Sequence, residues 1–111
     1  MRIRQWEIWK TKPEGFETEH WFVVVSPQER LDNPKLSKAN GLACFTLRGE
    51  PLNTDTRLNG ADGFETATVC QCDLIYFLDK SKLHSPLGSV SWERQQQIKS
   101  KIREVLRLEP S

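Results

Sequence analysis

The chain has no run of about 18 apolar residues, the length a membrane-spanning helix needs, so no such helix is expected in its 111 residues. It also has no charge of one sign to spare. Sixteen Lys and Arg face fifteen Asp and Glu, a formal net charge of +1, which leaves no molecule-wide field to hold a polyanion. Any nucleic-acid contact has to come from a local patch. Cysteine is scarce, and three of them cannot close into a disulfide set. No Cys-x-x-Cys or Cys/His spacing marks a zinc site, so Cys44, Cys70 and Cys72 are expected as small core residues with free thiols, in a reducing compartment. The start Met1-Arg2-Ile3-Arg4 carries no signal-peptide core, and a cytoplasmic location is expected. Repeats and linkers are absent, and the length suits a single domain over residues 1–111 with one core.

What is present is apolar and β-rich. Hydrophobic residues make up 37% of the chain, with four Trp and five Phe, enough for a packed domain. Ile3, Trp6, Ile8 and Trp9 form a first strand over residues 3–10, stopped by the turn signal Lys12-Pro13-Glu14-Gly15. Trp21-Phe22-Val23-Val24-Val25 is too short for a helix and has no polar face, which predicts a central strand buried on both sides. From Gln28 to Asn40 the composition is polar, with Pro27 and Pro34, and a surface loop is expected. Residues 41–48 read as a third strand, a short strand is placed near Thr56 to Leu58, and two more cover residues 67–72 and 74–78, with Asp73 at a bend between them. The total is five or six strands.

Only the last segment has a helical period. Ile98, Ile102, Val105 and Leu106 form one stripe, Ser91 supplies an N-cap and Glu93 favours the first turn, so a helix is expected from about Trp92 to Leu108. Strands followed by one helix predict a small antiparallel barrel or curled sheet with a helix packed on it. Arg94, Lys99, Lys101, Arg103 and Arg107 then form a solvated helix face.

The order of these parts resembles the MazF/PemK/Kid family of toxins. Arg4-Gln5-Trp6-Glu7-Ile8-Trp9 stands for the family's RRGEIW-type first strand, His20-Trp21-Phe22-Val23-Val24-Val25-Ser26 for its RPVVVVS-type second strand, and Ala43-Cys44-Phe45-Thr46 for the strand ending in Thr. Gly63-Phe64-Glu65-Thr66-Ala67-Thr68-Val69, Cys72-Asp73-Leu74-Ile75 and Leu78-Asp79-Lys80 through Leu83 match the family's last β segment in order and spacing. The resemblance implies an SH3-like (CcdB/PemK-type) barrel with a C-terminal helix and a homodimer. It also implies an endoribonuclease that cleaves single-stranded RNA without metal or cofactor and is paired with an antitoxin. Three positions depart from the family pattern. The Arg-Pro that opens the second strand is His20-Trp21 here, an Arg-x-Asp triplet is Gln71-Cys72-Asp73, and the DQIR tail is Asp73-Leu74-Ile75-Tyr76. Loss of the Arg-Pro arginine keeps two other functions open, a catalytically degenerate dimeric binding module and a CcdB-like inhibitor of a protein target such as gyrase.

Metal-free RNA cleavage needs a group to take the 2′-OH proton, a cation or donors for the charged phosphorane, and an acid for the leaving oxygen. Thr46 and Arg48 share a strand face, so a guanidinium fork and a hydroxyl donor stand together. Asp73 is retained from the family site. His20, with Glu17 and Glu19 close in sequence, is a residue type suited to proton transfer near neutral pH. The catalytic candidates are therefore Thr46, Arg48, Asp73 and His20, with Trp21, Gln71 and Glu19 as RNA contacts. Trp21 is the stacking candidate. Trp6, Trp9 and Trp92 are expected in the core.

Overall fold

The computed structural model describes residues 2–108. Along them run β1 (Glu7–Thr11), β2 (His20–Val24), α1 (Gln28–Asp32), β3 (Lys38–Thr46), β4 (Asp55–Leu58), β5 (Thr68–Gln71), β6 (Tyr76–Asp79), β7 (His84–Ser89) and α2 (Trp92–Val105). The strands are antiparallel throughout, in the order β4-β5-β3-β2-β1-β7, with β6 also on β3. β3 is long enough to serve two partners along the edge away from β2. Its first half, Lys38–Gly41, pairs with β6, and its end, Cys44–Thr46, pairs with β5. The outermost strands β4 and β7 do not pair with each other, so the sheet is curled and open.

Seven strands exceed the five or six expected, and the additional one is β7. Its sequence, His84-Ser85-Pro86-Leu87-Gly88-Ser89, has neither alternation nor β-branched residues. It forms because it is an edge strand on β1, where proline is tolerated and one side needs no ladder; its register shifts between Ile8 and Lys10. The expected loop over residues 28–40 is also corrected. It contains α1, and β3 already starts at Lys38. A five-residue helix has no stability of its own. Leu31 buries its side chain, and the Lys80 ammonium donates to the carbonyls of Leu31 at 3.2 Å and Asn33 at 3.1 Å, closing the helix end.

The Val23-Val24 run is buried on both faces of the sheet, as a continuously apolar strand requires. On one side Ile8, Val23, Leu42, Cys44, Cys70 and Cys72 pack beneath Ile98 of α2; on the other, Trp9, Phe22, Val24, Ala43 and Leu78 pack with Leu31 of α1. Gly41 leaves room for the α1-side layer, because a Cβ there would run into the Leu78 side chain. Trp6 has a left-handed φ of 74°, at the position where the RRGEIW pattern has glycine. Its backbone is locked on both sides, the N–H donating to Val24 at 2.7 Å and the carbonyl accepting from Val90 at 2.9 Å.

α2 starts where Ser91 accepts from the Arg94 N–H but ends at Val105, short of the expected Leu108. Arg107 turns left-handed with φ 53°, its N–H donating to Glu104 and that of Leu108 to Arg103, a Schellman closure. Trp92 is not core, being 71% exposed. Six residues before Ile98, at about 100° each, place it roughly 120° away from the buried stripe.

Candidate functional site

An open cleft of about 780 Å³ lies where β2 begins, β3 ends and β5 begins. It contains five of the seven site residues expected from sequence: Glu19, His20, Trp21, Thr46 and Arg48. Gln71 and Asp73 do not line it. Strand parity explains the separation. The pairs Trp21↔Cys44 and Cys44↔Cys70 put Trp21, Cys44, Thr46, Thr68 and Cys70 on one sheet face. Gln71 falls on the other face at the far end of β5, opposite Asp55, and Asp73 lies beyond it in the connection to β6.

Thr46 closes β3 and is exposed, with Thr68 directly across from it on β5. The Thr68 hydroxyl donates to the Thr66 carbonyl at 3.0 Å, whereas Thr46 has no side-chain hydrogen bond among the described residues. Arg48 follows two residues on, exposed and without an ion pair among the described residues. The Leu47 N–H donates to the Ala67 carbonyl at 3.0 Å, which carries the ladder one step past β3 and aims Arg48 into the cleft beside Thr46.

His20 belongs to the opposite sheet face and reaches the cleft because it is the first residue of β2. Phe16 lies edge-on at 5.1 Å and Phe45 tilted at 5.0 Å, holding the ring. Nδ1 lies 3.1 Å from the Thr18 carbonyl. A carbonyl only accepts, so Nδ1 carries a hydrogen, and in the neutral ring Nε2 is the free base.

Sequence reasoning missed four features. Lys10 lines the cleft from β1, its ammonium 5.2 Å from the centre of the Trp21 ring, so one face of the stacking candidate already carries a cation. His84 pairs with Glu19 across 65 residues of chain; no local pattern announces such a contact. Gly63 to Thr66 form one wall and Leu87 of β7 another. The Gly63–Thr66 wall is anchored by Asp62, buried in a 3₁₀ turn with Asn59, whose carboxylate accepts from the N–H groups of Asn59 and Ser91, both at 3.0 Å. Beneath the cleft floor the three thiols are buried. Hydrogen bonding to Cys44, with burial adding, pushes Cys70 well above the usual thiol range, and Cys70 together with burial does the same to Cys72.

The sequence matches no protein-family model, and no curated protein matches it. Solved structures do. An endoribonuclease in complex with its cognate antitoxin, from a mycobacterial species, has a TM-score of 0.82 at 18% identity over 98% of this chain and 99% of that one. The Mycobacterium tuberculosis toxin MazF-mt6 has a TM-score of 0.78 at 15% identity, covering 94% and 99%. MazF in a MazE-MazF structure from Deinococcus radiodurans has 0.75 at 14%, covering 96% of each chain. At such identities the likeness is one of fold. This chain has the fold of the MazF-type toxins, as the order of its motifs implied.

Proposed function

We propose that this chain is a MazF-type toxin, a cytoplasmic endoribonuclease that cleaves single-stranded RNA without a metal. One observation carries the proposal: Thr46 and Arg48, both free of partners among the described residues, face one cleft with His20. The donor set suits the RNA's own hydroxyl better than a divalent cation, since the cleft offers two carboxylates, Glu19 and Glu65, and Glu19 is engaged by His84. In this reading Nε2 of His20 takes the 2′-OH proton, and the 2′-oxygen attacks phosphorus. Arg48 and Thr46 stabilise the charge that develops on the non-bridging oxygens. The 5′-oxygen leaves, taking a proton from water at the open mouth of the cleft, and a 2′,3′-cyclic phosphate remains. Asp73, outside the cleft, has no part in it.

Two partners accompany this reading. A cognate antitoxin is proposed because relatives in fold are solved in complex with theirs. A homodimer is proposed because Leu74, Ile75 and Phe77 are 51%, 40% and 77% exposed within four residues of chain, around the start of β6, an apolar patch suited to a second copy. The test is induced expression with primer extension on total RNA, followed by cleavage of an oligonucleotide in EDTA. Growth arrest, discrete RNA ends and a cyclic phosphate product support the proposal. Arrest without RNA ends identifies a toxin acting on a protein target. No arrest and no cleavage leave a degenerate binding module.

A further inference from the structure

The cleft contains a second cation that the proposed chemistry does not use. Lys10 is half-buried on β1, between Trp21 of β2 on one side and His84 of β7 on the other. Its ammonium stands over the Trp21 ring, and it has no carboxylate partner among the described residues. Glu19 makes no ion pair with it, and its Oε2 is bonded to His84 Nε2 instead. Other lysines of the sheet region are committed, Lys38 and Lys82 to Asp79 and Lys80 to the end of α1. A lysine held in place by an aromatic face, uncompensated and open to a cleft, is built to receive an anion.

Its position decides which anion. Lys10 shares the sheet face of Thr46, since Lys10 pairs with Trp21 and Trp21 with Cys44. With strands about 4.8 Å apart and a rise of about 3.3 Å per residue, the Lys10 and Thr46 Cα atoms are roughly 12 Å apart, and Arg48 is farther still. Backbones that far apart leave room for successive phosphates of an extended strand to occupy the Thr46–Arg48 end and the Lys10 end together. We propose that Lys10, steadied by Trp21, is a second phosphate site of the cleft, binding the phosphate next to the one that Thr46 and Arg48 engage. This rests on the ribonuclease reading above and deepens it. The substrate is a single strand laid across β3, β2 and β1, and a dinucleotide cut at the Thr46–Arg48 end is too short to use the whole cleft.

The test is binding of a fluorescein-labelled 2′-O-methyl oligouridylate, which cannot supply the attacking 2′-hydroxyl, measured by anisotropy from 50 to 300 mM salt. Wild type, Lys10→Gln and Lys10→Arg are compared, with Lys101→Gln on α2 as a charge-matched control. Lys10→Gln is expected to bind roughly three- to tenfold more weakly at low salt, with the slope of log K against log salt reduced by about 0.7, one phosphate contact on a single strand. Lys10→Arg keeps both, and Lys101→Gln matches wild type. On cleavable RNA the loss falls in KM, and it shrinks as the substrate is shortened to a dinucleotide. If wild type binds and Lys10→Gln binds equally with the same slope, Lys10 is not a phosphate site while the ribonuclease reading stands. If wild type neither binds nor cuts RNA, both fall.

Discussion

The cleft wall depends on one buried carboxylate, and its removal has a calculable cost. Asp62 is 1% exposed. One oxygen accepts from the Ser91 N–H and the other from the Asn59 N–H, while Arg94 Nε stands 3.9 Å away. Asp62→Ala strands two backbone donors, each costing about 1–3 kcal/mol when left without a partner. It also leaves Arg94 without its counter-charge, a smaller loss because that side chain is partly exposed. The sum is about 2–7 kcal/mol, a large share of the roughly 5–15 kcal/mol that holds a domain folded. At about 4 °C or more per kcal/mol, Tm should fall by on the order of 15 °C. Asp62→Asn keeps one acceptor but turns an amide N–H toward a backbone N–H, so about 2–3 kcal/mol is expected. Arg94→Met, which removes the long ion pair and an exposed hydrogen bond to Gln97, should cost at most about 1 kcal/mol. Urea unfolding followed by tryptophan fluorescence gives all three midpoints. If Asp62→Asn lies within about 0.5 kcal/mol of wild type, or Arg94→Met costs as much as Asp62→Ala, the backbone bonds do not hold this wall and the reasoning is wrong.

Arg48→Ala should lower the cleavage rate on the order of a hundredfold or more with Tm nearly unchanged, since the side chain is exposed; a wild-type rate would remove Arg48 from the chemistry. Arg107→Gly relieves a left-handed non-glycine residue at the end of α2 and should stabilise by about 0.5–1 kcal/mol; a lower urea midpoint would contradict the Schellman closure. Lys38 beside Asp79 holds that carboxyl below the usual carboxylate range. A depressed folded pKa contributes stability that is whole above the unfolded value, about 3.9, and lost as pH falls through the folded one. The difference in urea midpoint between wild type and Lys38→Met should therefore shrink as pH is lowered from about 5 toward 2, and a constant difference would show that the pair contributes nothing. The raised thiols of Cys70 and Cys72 should resist alkylation in the folded protein and react only on unfolding; rapid modification of either in native buffer would place it outside the core.

The legible parts of this fold are those whose cause is local. A five-residue run without a polar face can only be a strand buried on both sides, and Val23 and Val24 are; an i, i+4, i+7 stripe can only be one helix face, and Ile98 carries it beneath the sheet. β7 was invisible because its order comes from β1 rather than from its own residues, and α1 because Lys80, far along the chain, closes it. Trp92 was misplaced for another reason. It opens a helix whose apolar face packs inward, while the helical angle to Ile98, which the sequence contains, puts it outside that face.

The same distinction runs through the site. Period two is a local rule, and it places Thr46 and Arg48 on one face without any knowledge of neighbouring strands. Which face of β5 joins them is not a local question. Val69, Gln71 and Asp73 share one side and Cys70 and Cys72 the other, and only the pairing of Cys44 with Cys70 decides that the thiol side, continued by Thr68, faces the cleft. A register one residue away would have brought Gln71 round to the cleft face and turned both thiols to the other, because one slip inverts every assignment on a strand. Cys70 and Cys72 must face the core beneath α2, so Gln71 and Asp73 must point away from it. Thr46, two residues beyond Cys44 on the core face, emerges where that core ends. The cleft is the open mouth of the α2-side core, and its cations and hydroxyl continue core-facing positions past the last apolar layer, Thr46 after Cys44, Arg48 after Thr46 and Lys10 after Ile8, while His20 enters from the opposite face at the start of β2.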